Sequence, residues 1–196
     1  MNKDWVGNKK SVYSCIGARV FAKEEREGFD YYATPPSAVK ALLFRETFTP
    51  TILEPCVGGG HIAGVLLANG YAVISNDILD RGFPNTNLLD FFSMTENSFD
   101  IVTNPPYKVA KEFVEHAINI SQKGNKIAML LKLTFLEGAK RKDLFEKYPF
   151  KTLYVFSKRV MCAKNGDFEK YASSAVAYGW YVWEKGYKGL PVVKWI

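Results

Sequence analysis

Asn104-Pro105-Pro106-Tyr107 closes the apolar run Phe99-Asp100-Ile101-Val102-Thr103 and carries the groups needed to methylate an exocyclic amine. The N6 amine of adenine is a poor nucleophile because its lone pair is delocalised into the ring. Methyl transfer requires that nitrogen to become tetrahedral, with the lone pair aimed at the incoming methyl. Two acceptors beside the amine hydrogens promote this: the Asn104 side-chain carbonyl and the Pro105 main-chain carbonyl. Both bind more strongly as positive charge develops on nitrogen, which lowers the barrier. Pro105 disfavours helix at Asn104, and Pro106 does the same at Pro105, so both are held extended. Tyr107 then offers a flat face on which an extruded base can stack, worth about 1–3 kcal/mol. No general base is demanded, since the proton leaves from a cationic product, and His61 and His116 both read as helix residues.

About fifty residues upstream, the strand-like Thr51-Ile52-Leu53 ends in Glu54-Pro55-Cys56-Val57-Gly58-Gly59-Gly60. Gly58, Gly59 and Gly60 lack Cβ atoms, so backbone can approach a ligand closely through a sharp turn. Glu54 closes the strand where a carboxylate can bind the ammonium of an amino-acid tail. Further on, Ile74-Ser75 leads into Asn76-Asp77, and an acid ending this second strand supplies two acceptor oxygens for a ribose diol. Asp80 competes for that role. Asp90, before Phe91-Phe92, can accept from an adenine amino group while Phe91 stacks on the ring. The glycine turn is not the pyrophosphate fingerprint G-x-G-x-x-G, because His61-Ile62-Ala63 follows Gly60, and no Walker lysine follows it.

Composition narrows the class. The 196 residues, 47% hydrophobic and 15% aromatic, suit one globular domain with a substantial core. No apolar run approaches the ~20 residues of a membrane span, and Met1-Asn2-Lys3-Asp4-Trp5 lacks the apolar stretch of a signal peptide. Cys15, Cys56 and Cys162 are scattered and only two histidines are present, which predicts a reduced, metal-free, cytoplasmic protein without disulfides. The net charge of +6 is unevenly placed: residues 138–196 carry twelve Lys/Arg against five acids, residues 30–137 eight against eleven. A one-sided basic surface is the expected footprint of a polyanion.

The elements that must position these motifs alternate. Residues 1–29 read as a basic arm and 30–196 as the catalytic domain. A helix is predicted from Thr34-Pro35-Pro36-Ser37 to about Glu46, opened by proline. Strands follow at Ile52–Glu54, Ala72–Ser75, Asn87–Leu89, Phe99–Thr103, Ile127–Leu133 and Phe150–Phe156, with a last one in Ser174–Trp183. Helices are predicted at His61–Asn69, Val109–Gln122 and Ala139–Lys147. This alternation predicts right-handed βαβ crossovers and an α/β sheet covered on both faces.

The two motifs resemble those of the class I S-adenosylmethionine-dependent amino-methyltransferases, specifically the N6-adenine DNA methyltransferases. Asn104–Tyr107 matches their catalytic motif and Glu54–Gly60, with Cys56, their cofactor motif. Tyr32-Ala33-Thr34-Pro35-Pro36 is similar to the segment preceding the cofactor motif, where threonine and nearby backbone contact the methionine tail; this is the gamma-type order. Trp5–Ser11 and Lys164–Phe168 add a likeness to small adenine methyltransferase-like proteins of phages and mobile elements, over roughly residues 1–185. The resemblance implies S-adenosylmethionine as cofactor and a Rossmann-like, seven-stranded, mostly parallel sheet with an antiparallel last strand. It also implies that the loop Ser157–Tyr171, with Lys158, Arg159, Lys164 and Phe168, faces the target base.

Sequence-specific gamma-type enzymes carry a separate target-recognition domain, whereas this chain reaches Ile196 almost as soon as its last predicted sheet strand is complete. Weak sequence specificity, a homodimer or recognition subunit, or a non-duplex substrate is therefore expected. The same tetrapeptide serves enzymes that methylate adenine in RNA or a glutamine amide in release factors. A catalytically silent fold kept for binding or anti-restriction is a further alternative.

Overall fold

The computed structural model describes residues 31–169 and 176–196. The expected arm over 1–29 and part of the expected strand Ser174–Trp183 lie outside the described residues. The elements in chain order are β1 (Tyr32–Ala33), α1 (Pro36–Leu43), β2 (Thr51–Glu54), α2 (His61–Ala68), β3 (Ala72–Asp77), β4 (Asn87–Leu88), β5 (Asp100–Thr103), α3 (Ala110–Ile120), β6 (Lys126–Lys132), α4 (Ala139–Lys147), β7 (Thr152–Val155), β8 (Ala163–Lys164), β9 (Tyr178–Glu184) and β10 (Val192–Trp195).

Eight strands form one sheet in the order β10-β7-β9-β6-β5-β2-β3-β4. All neighbours are parallel except β9, which runs antiparallel to both β6 and β7. The seven expected strands are present, β9 being the expected antiparallel one. An eighth, β10, adds parallel to β7 at the edge. It follows Pro191 and runs through Val192, Val193 and Trp195, a β-branched and aromatic stretch that sequence reading passed over.

Alternation along β6 shows how the sheet divides its two cores. Ile127, Met129 and Leu131 enter one cluster with Phe113, Val114 and Ala117 of α3 and Leu144 of α4. Ala128 and Leu130 enter the other with Val39 and Leu42 of α1 and Ile62 and Leu66 of α2. Period-two side chains on a doubly covered strand produce this partition and the unbroken apolar run. The α3 residues Ala110, Phe113, Val114 and Ala117 recur at helical spacing and bury one stripe. Buried Trp180 donates its indole N–H to the Ala38 carbonyl at 2.8 Å, and Trp183 to that of Tyr148 at 3.0 Å.

The carboxyl ends of the parallel strands meet where the order reverses, between β2 and β5, the place such sheets use for ligands. Glu54 ends β2, Asp77 ends β3, Asn104 follows β5 and Lys132 ends β6. Among the described residues no helix is long and apolar enough to cross a membrane, and no group of three or more His, Cys, Asp or Glu is placed to hold a metal.

Candidate active site

Asn104 begins from β5, whose four residues are all buried, and is fixed by two acceptors from the segment before α1. Its side-chain nitrogen donates to the Tyr32 carbonyl at 2.8 Å and to the Thr34 hydroxyl at 3.1 Å. With the nitrogen consumed this way, Oδ1 is buried and has no hydrogen-bond partner. A buried carbonyl left without a donor costs stability, and its persistence marks a place where a ligand donor belongs. Pro105 is buried and Pro106 exposed, the latter with extended backbone before the tight turn Tyr107–Val109.

The Tyr107 ring lies among Tyr32 and Tyr178, with centroids 6.0 and 5.9 Å away. Its hydroxyl is buried without a hydrogen bond, and burial pushes its pKa well above the ordinary phenol value. The ammonium of Lys132 stands 4.7 Å from the ring centroid. Such a cation–π contact is worth about 0.5–1 kcal/mol when exposed and about 2 when desolvated, against about 1–3 for a stacked base.

At the cofactor end, Glu54 is fully buried and its carboxyl is pushed well above the usual range, chiefly by desolvation and further by the charge of Asp77. The Ala63 backbone N–H partly offsets this, while Oε2 has no partner. Half-buried Cys56 is held up by burial and by the neighbouring Asp77 and Glu54 carboxylates. An orphaned carboxylate oxygen at the end of β2 fits the ammonium of an amino-acid tail, as the sequence predicts for S-adenosylmethionine.

The glycine turn is expected to let backbone approach a ligand closely, and in the structure the same space is occupied by aromatic rings of the protein. Gly58 and Gly60 have φ of +55° and +79°, and a Cβ on either would overlap an aromatic ring, Tyr31 on Gly58 and Phe83 on Gly60. The Gly58 N–H donates to Asp77 Oδ2 at 2.8 Å, and the Leu79 N–H to Asp77 Oδ1 at 3.0 Å. Asp77 thus ties the turn to β3, leaving each oxygen one further acceptor direction for a diol. The close approach that the glycines allow is used by the protein's own side chains.

Tyr31 is a residue that sequence reasoning passed over. Its hydroxyl accepts from the Gly59 N–H at 3.0 Å and shares a 2.7 Å hydrogen bond with His61 Nδ1. Burial, and to a lesser extent the Glu54 and Asp77 charges, raises its pKa. His61, read from sequence as a helix residue, starts α2 and has its pKa lowered by burial. The only sequence signal for Tyr31 was its place next to Tyr32.

Asp90 caps its own turn, its Oδ1 accepting from the Phe92 N–H at 3.0 Å. Phe91, expected to stack on adenine, is instead buried, its ring centroid 4.8 Å from that of Phe113 and 4.9 Å from His116. The accessible ring is Phe92, 41% exposed. Pro35 precedes α1 in extended backbone, while Ala33 and Thr34 are buried.

The loop expected to face the base is tied to the cofactor segment. Tyr32 pairs with Lys164 and Ala33 with Ala163 in the two-stranded ladder of β1 and β8. Val160 and Cys162 are buried, Lys158 and Arg159 exposed. Phe168 packs against His61, centroids 5.5 Å apart, which puts it beside the glycine turn.

This sheet order, with a single antiparallel strand inserted near one edge and acidic and Asn-Pro loops at the carboxyl ends, is the fold of the class I S-adenosylmethionine-dependent methyltransferases. A modification subunit of a type I restriction enzyme from Vibrio vulnificus superposes with a TM-score of 0.59 at 13% identity, over 88% of this chain and 48% of that one. A Listeria monocytogenes protein described as a class I S-adenosylmethionine-dependent methyltransferase gives 0.57 at 13% identity, over 84% and 65%. A predicted O-methyltransferase from Agrobacterium tumefaciens gives 0.59 at 11% identity, over 82% and 85%. The chain therefore spans about half to two thirds of the first two of these neighbours. No protein-family model and no curated protein sequence matches it.

Proposed function

We propose that this protein transfers a methyl group from S-adenosylmethionine to the N6 amine of adenine in DNA. The observation that carries the reading is the buried, unpartnered Asn104 Oδ1, held in one orientation because its amide nitrogen is committed to Tyr32 and Thr34.

When bound, the cofactor supplies a methyl on a sulfonium sulfur. That methyl would pass to N6 with the sulfur leaving as a thioether, and the cationic amine would then give its proton to water. The chain's contribution is positional and electrostatic. Asn104 Oδ1 and the Pro105 carbonyl would accept the amine hydrogens, an interaction that strengthens as nitrogen becomes cationic. Glu54 Oε2 would accept from the cofactor ammonium, and Asp77 from its ribose. Asp90 and the neighbouring aromatic pair would bound the adenine of the cofactor, with Phe92 rather than Phe91 the ring that is accessible. Tyr32–Pro35 would line the methionine tail. Lys158, Arg159, Lys164 and Phe168 would contact the target strand. Nucleic acid as the partner is also supported by the basic balance of residues 138–196 and by the restriction–modification role of one structural neighbour.

The test is transfer of a labelled methyl with duplex DNA, single-stranded DNA, total RNA and a release factor offered in parallel, followed by mass identification of the modified nucleoside. N6-methyladenine in DNA is expected, and N6-methyladenine confined to RNA would move the protein to the RNA class. Cofactor binding without transfer to any of the four would favour a fold kept for binding. Asn104→Ala should lower turnover a hundredfold or more, on the order of 3 kcal/mol, while cofactor binding persists.

A further inference from the structure

We infer that Tyr178 is a positioning residue for the target base, its hydroxyl pairing with that of Tyr107 only when an extruded adenine is stacked on the Tyr107 ring. The inference rests on the adenine reading above. Tyr178 opens β9 in register with Lys132, the last residue of β6, and is therefore at the end of the sheet that carries the site. Its side chain is buried, and its ring lies 5.9 Å from that of Tyr107 with a tilt of 37°, so the two are neighbours without being stacked. The Tyr107 hydroxyl is buried and makes no hydrogen bond, a condition native structures rarely keep. Besides burial, the groups that act on this phenol are Cys162, Tyr178 and Asn104. The Asn104 amide nitrogen is already committed to Tyr32 and Thr34, and a thiol is weak both as donor and as acceptor. The Tyr178 hydroxyl is the strong partner that remains, close enough to act on Tyr107 and not bonded to it.

Tyr107 is half-buried with its hydroxyl end innermost, so the movement left to its ring is a change of tilt. A base in van der Waals contact imposes its own plane on the ring it stacks on. The tilt against Tyr178 changes with it, and the two hydroxyls come into bonding geometry. The hydrogen bond is gained together with the base and not before it. Its energy therefore favours the complex with an extruded base and contributes nothing to the fold of the free protein. Tyr178 touches neither the amine nor the methyl; it acts through the orientation of Tyr107.

The closing experiment compares wild type with Tyr178→Phe, Tyr107→Phe and the double variant, each of which keeps every ring and removes only hydroxyls. Three quantities are measured: labelled-methyl transfer to an alternating poly(dA-dT) duplex, calorimetric binding of S-adenosylmethionine, and thermal unfolding of the free protein. Y178F should lower kcat/KM for the duplex about three- to tenfold, Y107F by the same factor, and the double variant no further. Cofactor affinity should be equal in all four proteins, and no variant should melt below wild type, because no hydrogen bond of the free protein is lost. Additive losses in the double variant would show that the hydroxyls act separately and would overturn the inference, as would a Y178F with wild-type kinetics. A Y178F whose melting temperature falls along with its rate would make Tyr178 a residue of the fold and overturn it equally. A wild-type protein that binds cofactor but methylates no adenine in the duplex would sink the DNA reading and this inference with it. That result is distinct from an active wild type with an unimpaired Y178F.

Discussion

The side-chain nitrogen of Asn104 donates to the hydroxyl of Thr34 at 3.1 Å, joining two loops 70 residues apart in sequence. The contact decides which end of the amide is left without a partner. Thr34→Val removes one of two acceptors and leaves the Tyr32 carbonyl alone to hold the amide. We predict a fall in kcat of about five- to tenfold, the worth of one hydrogen bond, with the cofactor KM nearly unchanged. Thr34→Ser should restore the rate. Equal kcat in T34V and wild type, measured at saturating cofactor, would show that Thr34 does not orient Asn104.

Glu54 has a stability cost with a definite pH sign. Its folded pKa lies well above the ordinary value near 4.5, because burial penalises the carboxylate. Its contribution is most favourable below the unfolded pKa and is lost as pH rises through the folded one. Glu54→Gln should therefore melt higher than wild type by a few degrees at neutral pH, with the gap closing as pH approaches 4.5. S-adenosylmethionine should raise the melting temperature of wild type and much less that of E54Q. Thermal melts across pH, with and without cofactor, check both; a gap that widens toward acid contradicts the burial argument.

The glycine turn predicts a coupled pair. Gly60→Ala places a methyl into the Phe83 ring at a φ of +79°. Left-handed backbone and overpacking together should cost about 2–4 kcal/mol. Phe83→Ala in the same chain should recover the overpacking share and leave only the backbone cost. Urea unfolding of the four proteins in the cycle measures this, and strict additivity would show that the ring does not press on the turn.

His61 supplies a pH dependence of opposite sign. Its pKa is lowered by burial, and its Nδ1 lies 2.7 Å from the Tyr31 hydroxyl. The stability it confers is complete above the unfolded pKa of about 6.5 and is lost as pH falls from there toward the folded value. His61→Asn, which keeps an acceptor near Nδ1, should remove that part of the decline between neutral pH and about 5.5. An NMR titration of the two histidines should place His61 below 6.5. A wild-type His61 titrating at or above 6.5 would refute the arrangement.

The sheet was legible because its strands announce themselves. A buried parallel strand must be apolar on both faces, so Thr51–Glu54, Asp100–Thr103 and Lys126–Lys132 fall within a residue or two of their predicted bounds. Proline sets the start of α1, and Gly60 and Gly70 bracket α2, whereas α1 ends at Leu43, three residues short of the predicted Glu46. Where pairing rather than composition decides, the reading fell short. β3 runs on to Asp77 because Asn76 and Asp77 pair with Asn87 and Leu88 of β4; β10 pairs with β7 through Val192–Trp195, a β-prone run that was passed over. Phe91 and Phe92 are indistinguishable by type, and only the turn begun by Asp90 sends the first inward.

Local sequence was enough for the seven main strands, the helices between them and the class of fold, because propensity, period and turn chemistry act over a few neighbouring residues. The tertiary structure alone decided that Asn104 is oriented by Thr34, that Glu54 keeps an unpartnered oxygen, and that Tyr31 and Phe83 cover the glycine turn. It also set the Lys132 ammonium on Tyr107. These relationships join side chains far apart in sequence, and their geometry and burial are fixed only when the sheet brings the strand ends together.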